Sequence, residues 1–80
     1  MSREEAVKYY EISRDYLTGK IKQMQESLVR RLESLAEDAK KGYSIAGAVG
    51  SIAVAQAELD SAKCELEKIN EAIRIVSNIK

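Results

Sequence analysis

From Ile45 to Val76 the apolar residues recur on a strict repeat of seven. Ile45, Ile52, Leu59, Leu66 and Ile73 hold one position, and Ala48, Ala55, Ala62, Ile69 and Val76 hold the position three residues later. Side chains at alternating spacings of three and four stay on one stripe of an α-helix, whereas a strand would need a period of two. Five consecutive repeats predict a long helix with a coiled-coil seam, and a seam must be covered by another helix.

The chain can supply that helix itself. It contains no proline, and apart from Gly19 its glycines lie between Gly42 and Gly50, so the one strong interruption falls near the middle. The first segment opens on Ser2-Arg3-Glu4-Glu5, a capping box in which the Ser2 hydroxyl accepts from the Glu5 amide and Glu5 reaches back. It closes on Lys40-Lys41-Gly42, with two cations at the negative helix end and a glycine able to take the left-handed conformation. Residues 1–80 are therefore expected to form a single all-α domain, an antiparallel two-helix hairpin. Its helices are expected over residues 2–41 and 44–79, with a turn over 41–44 and Ser44 capping the second helix. Gly19 costs its helix about 1 kcal/mol relative to alanine. The apolar stripe keeps phase from Leu17 to Ile21, which favours a continuous helix there.

The first helix offers Val7, Tyr10, Leu17, Ile21, Met24, Leu28, Leu32, Leu35 and Ala39 to the seam. Arg31 occupies the expected heptad site, so Leu32 is expected to replace it through a local stutter. A turn at 41–44 pairs residues whose numbers sum to about 84. Leu32 then meets Ile52, Leu28 the Ala55 layer, Ile21 Ala62, and Leu17 Leu66. Large residues opposite alanines predict a close approach of the helices in the half nearer the turn.

Composition narrows function mainly by exclusion. There is no histidine, and Cys64 is the only cysteine, so acid–base triads, zinc sites and internal disulfides lack their usual parts. Cys64 itself reads as a small apolar filler. Glu33 with Glu37, and Glu67 with Glu71, are spaced four apart on faces expected to meet solvent, without the Glu-x-x-His pairs of di-iron bundles. Gly47-Ala48-Val49-Gly50 lacks the spacing and the lysine of a phosphate loop. No catalytic, cofactor-binding or metal-binding residues are assigned, and no enzyme activity is expected.

Thirteen basic and thirteen acidic residues cancel. The basic pairs Lys20/Lys22, Arg30/Arg31 and Lys40/Lys41 alternate with Glu26, Glu33, Glu37 and Asp38, so nucleic acid is not the expected partner. The longest uncharged run, Gly42 to Ala57, is 16 residues rich in Gly, Ala and Ser, shorter and less apolar than the roughly 20 residues of a membrane span. With a lone thiol and charged residues from the third position onward, a cytoplasmic location is expected.

Two helices in a rod about 55 Å long bury less apolar surface than a globule of the same mass, and the sequence carries more apolar residues than one seam uses. Tyr9, Ile12 and Tyr16 form a second stripe on the first helix. Gly47, Val49, Gly50, Ala53, Val54 and Ala57 make the second helix apolar almost all round near the turn, and such a helix is buried all round. These nine residues are the candidate interface. Self-association into a four-helix bundle or a larger helical assembly is expected, which makes the chain a structural or interaction module. The alternatives are a small adaptor or chaperone for a partner helix, and a dimeric nucleic-acid-binding regulator. In size and hairpin layout the chain resembles type III secretion co-chaperones and needle subunits. The proline-containing turn of the needle subunits is absent, so the resemblance implies architecture alone.

Overall fold

A computed structural model describes residues 2–78. Helix α1 runs Arg3–Lys40 and helix α2 runs Ala46–Ser77, and the two pack against each other as an antiparallel hairpin. The rod measures 62 × 16 × 15 Å, with a radius of gyration of 18.1 Å. A globule of this length would have a radius near 12 Å.

Local chemistry sets the ends of α1. The Ser2 hydroxyl accepts from the Glu5 amide at 3.2 Å, and Glu4 and Glu5 sit in the first turn, where the helix dipole favours negative charge. At the other end Gly42 takes φ +81°, the left-handed region. Its amide then donates to the Ala39 carbonyl at 3.2 Å, and the Tyr43 amide donates to the Asp38 carbonyl at 3.0 Å. Those two bonds form a Schellman motif, which satisfies carbonyls left open by the helix end. The helix passes through Gly19 without a break.

Helix α2 begins two residues later than the sequence suggests. Ile45, not Ser44, occupies the N-cap, with no side-chain cap, and its carbonyl accepts from Val49 at 2.9 Å. Ile45 is half-buried while Ser44 is exposed. Shielding an isoleucine outweighs a hydroxyl cap on a helix end whose amides water can reach. Of the expected 44–79 span, residue 79 lies outside the described residues.

The core is short compared with the rod. Leu17, Ile21 and Leu28 of α1 and Leu59 and Ala62 of α2 are its buried members, with Met24, Ile52, Ala55, Leu66 and Ile69 packed against them. These are the predicted seam residues of the middle. Toward the turn the seam loosens: burial of the alanine layers falls from Ala62 through half-buried Ala55 to exposed Ala48, and Ala39 is exposed as well. The expected tightening toward the turn is therefore reversed.

Nor does the first helix stutter. Leu32 is 46% exposed, and the stripe continues at alternating spacings of four and three through Leu28, Arg31, Leu35 and Asp38. Arg31 lines the same grooves as Leu28, Ala55 and Ile52, and its Nη1 reaches Ser51 Oγ at 3.5 Å. An arginine can hold a seam-edge position because its methylene stem covers apolar surface while the guanidinium reaches water or a hydroxyl. Keeping phase requires no change in helix winding, and that decides for Arg31 over Leu32.

Candidate interaction surface

Every candidate interface residue is exposed, but they form two groups. Tyr9, Ile12 and Tyr16 lie on α1 near the end of the rod that holds the termini, with Ile12 and Tyr16 each 71% exposed. Gly47, Val49, Gly50, Ala53, Val54 and Ala57 lie on α2 beside the turn. A cluster of nine is thus not what the fold makes. The helices run in opposite directions, so the early residues of each fall at opposite ends of the rod.

At the terminal end, one flank is grooved. Tyr9, Tyr16, Leu17, Glu65 and Ile69 line an open groove of about 660 Å³. Two smaller grooves continue it past Ser27 and Glu58, and then past Ser34 and Ser51. The depression follows a repeat of seven on each helix: Ser13, Lys20, Ser27 and Ser34 on α1, and Ser51, Glu58 and Glu65 on α2. Short serines at these places leave the seam uncovered, and at the terminal end the tyrosines raise a wall beside it. The Tyr9 and Tyr10 rings meet edge to face, with centroids 5.9 Å apart. Ile75, also exposed, lies on the same flank.

The other flank carries an apolar ridge that the sequence pattern did not single out. Val29 and Leu32 are three apart on α1, and Val49 lies on the matching side of α2; all three are about half exposed. Leu32, expected in the seam, lies on this flank instead. Counting the heptad strictly through Arg31 would have put it outside. Tyr43 in the turn is exposed too.

The helical glycines in these faces are not required by the hairpin. A Cβ added at Gly19, Gly47 or Gly50 would meet nothing within 4 Å. Cys64 is exposed as well and fills no core; Leu59, five residues before it, and Leu66, two after it, hold the seam, which turns position 64 outward.

Charge is scattered and shallow. Arg74 and Glu71 pair side-on, with Arg74 Nε donating to Glu71 Oε2 at 3.1 Å and Nη2 donating to Oε1. That hydrogen bond, helped by the guanidinium charge, holds the Glu71 carboxyl below the usual glutamate range and raises Arg74 above its own. Arg14 pairs with its neighbour Asp15 at 3.1 Å, and Gln56 donates to Asp60 at 2.9 Å. These are exposed pairs of small energetic value. Among the described residues no three His, Cys, Asp or Glu side chains come together as a metal site would require. Nor, among the described residues, is any helix long and apolar enough to cross a membrane.

Comparison with protein-family models, with curated proteins and with solved structures finds no match for the chain.

Proposed function

We propose that the chain is a non-enzymatic structural or interaction module that associates with copies of itself through helix packing. The observation that carries this reading is the surface the hairpin leaves open. Its accessible area is 6144 Å², whereas a folded monomer of 8.9 kDa normally exposes about 4,800 Å². The excess, about 1,300 Å², exceeds the ~800 Å² that each partner gives to a standard interface. Large apolar side chains contribute to it on both helices, and open-sided glycines within α2 cost helix stability with no return inside the hairpin. Both are accounted for if another helix closes over them.

Sedimentation at micromolar concentration should show a dimer or larger species, and a folded monomer there overturns the proposal. Gly50→Glu or Ala53→Glu should dissociate the assembly while leaving most of the helicity. Replacing Arg30 and Arg31 with alanine should leave it intact.

The groove beside Tyr9 and Tyr16 favours one further reading, an adaptor that holds a helix of another protein. That reading gains if the purified chain is a folded monomer and Tyr16→Glu abolishes capture of a partner helix.

A further inference from the structure

The groove walled by Tyr9 and Tyr16 and the ridge of Val29, Leu32 and Val49 lie on opposite flanks and toward opposite ends of the rod. On α1, Tyr9 and Tyr16 are turned about 120° from the seam in one sense, and Val29 and Leu32 about 100° in the other, from the 100° that each residue advances an α-helix. Because α2 runs the other way, Val49 falls on the flank of Leu32, while Glu65 and Ile75 fall on the flank of Tyr16. A two-fold contact uses one patch on both copies. No single two-fold contact can therefore cover both regions.

On the reading that the hairpin self-associates, we propose that the Val29–Leu32–Val49 ridge of one copy seats in the groove walled by Tyr9 and Tyr16 of the next. The fit is of shape and chemistry together. The ridge is aliphatic and stands toward the turn end, where the hairpin fully buries no side chain. The groove, about 660 Å³ and floored by Leu17 and Ile69, has room for side chains of that size. Ridge against ridge would leave the groove open, and groove against groove would trap water between tyrosine walls. Ridge in groove closes both, and the surface excess of about 1,300 Å² per chain is then divided between two contacts, each below the ~800 Å² of a standard interface side. The contact is head to tail, so each copy leaves a ridge and a groove free for others. Assembly then continues as a ring or filament instead of closing as a symmetric pair of hairpins.

Two variants test this, one with Leu32→Glu and Val49→Glu, the other with Tyr9→Glu and Tyr16→Glu, followed by sedimentation and by circular dichroism for helicity. Each variant alone should be a folded monomer, because each lacks one half of the ridge-in-groove contact. Mixed in equal amounts they should form a heterodimer of about twice 8.9 kDa, since the intact groove of the first takes the intact ridge of the second. If either variant alone still dimerises, or the mixture stays monomeric while the unaltered chain is oligomeric, the head-to-tail contact is wrong and self-association stands. A monomeric unaltered chain overturns both. Should glutamate unfold the hairpin, serine at the same positions gives the same readout.

Discussion

The middle of the rod and its turn end are made by the same two helices in the same phase, yet they pack differently. Between Leu17 and Leu28, and opposite them at Leu59 and Ala62, side chains are buried. Toward the turn no residue is: Arg31 and Asp38 take seam positions, the facing residue is Ala48, and Leu32 and Val49 point outward. An unbroken repeat therefore does not make an evenly closed seam. What closes it is volume on both sides, and alanine opposite a charged residue supplies too little. The apolar side chains that the turn end leaves out are the ones available to a second molecule.

If this contrast is right, substitutions should rank by position along the rod, with melts compared at one protein concentration. The largest loss is expected at Leu59, only 3% exposed. Leu59→Ala should cost about 3 kcal/mol, and Ile52→Ala, half-buried toward the turn, about 1 kcal/mol. Equal losses in urea melts would dissolve the distinction between the two regions. Next comes overpacking: Ala62→Leu should cost about 2 kcal/mol in the closed middle, whereas Lys63→Leu, one residue round the helix, should cost little. A smaller pair of effects should have opposite signs. Gly42→Ala should destabilise by about 1 kcal/mol, because an L side chain is strained at its positive φ. Gly19→Ala should stabilise by a similar ~1 kcal/mol, since the helix continues through it with open space for a Cβ.

The smallest effect is expected from the Glu71–Arg74 pair, which is fully exposed. The folded state holds the Glu71 carboxyl below its ordinary value. Its slight contribution is thus present above the unfolded glutamate pKa and is lost as pH falls through the lower folded one. Helicity followed through acid titration should show a slightly gentler loss in the Glu71→Gln variant. A large change would mean that the terminal end depends on this pair more than its exposure allows.

Much of the hairpin was legible in the sequence, because its signals are local. Ser2 with Glu5, Lys41 with Gly42, and the heptad of α2 each state their structure within a few residues. The middle of the seam follows from matching that heptad to Leu17, Ile21 and Leu28. Leu32 lies outside the seam because phase outweighs hydrophobicity there, once the arginine stem can lie along the seam. Ser44 yields the cap because the neighbouring Ile45 gains from partial burial, an effect that the capping pattern alone does not contain. The exposure of the nine candidate residues followed from their helix faces. Their division into two groups required the direction of both helices and the flank each face falls on. The ridge at Val29, Leu32 and Val49 joins residues from two helices, and no pattern within either one marks it.

The Gly42 motif has a consequence for the order in which the chain comes together and apart. It reverses the backbone using hydrogen bonds confined to residues 38 to 43, so it can form early and locally. The seam beside it offers little burial, however, and adding residues one by one from the turn gains little at each step. The decisive event is the meeting of Leu28 with Leu59 across roughly 30 intervening residues, whose closure entropy a preformed turn reduces. Time should run the same way in the folded hairpin. Amide protons of residues 17–28 and 59–62 should stay shielded until the whole rod opens, while those beyond the turn, from about Ala46 to Ala57, should exchange through small local openings. The segment most ready to open is also the one carrying Val49 and Ala53, so a second copy that closed over it would slow exchange there before anywhere else.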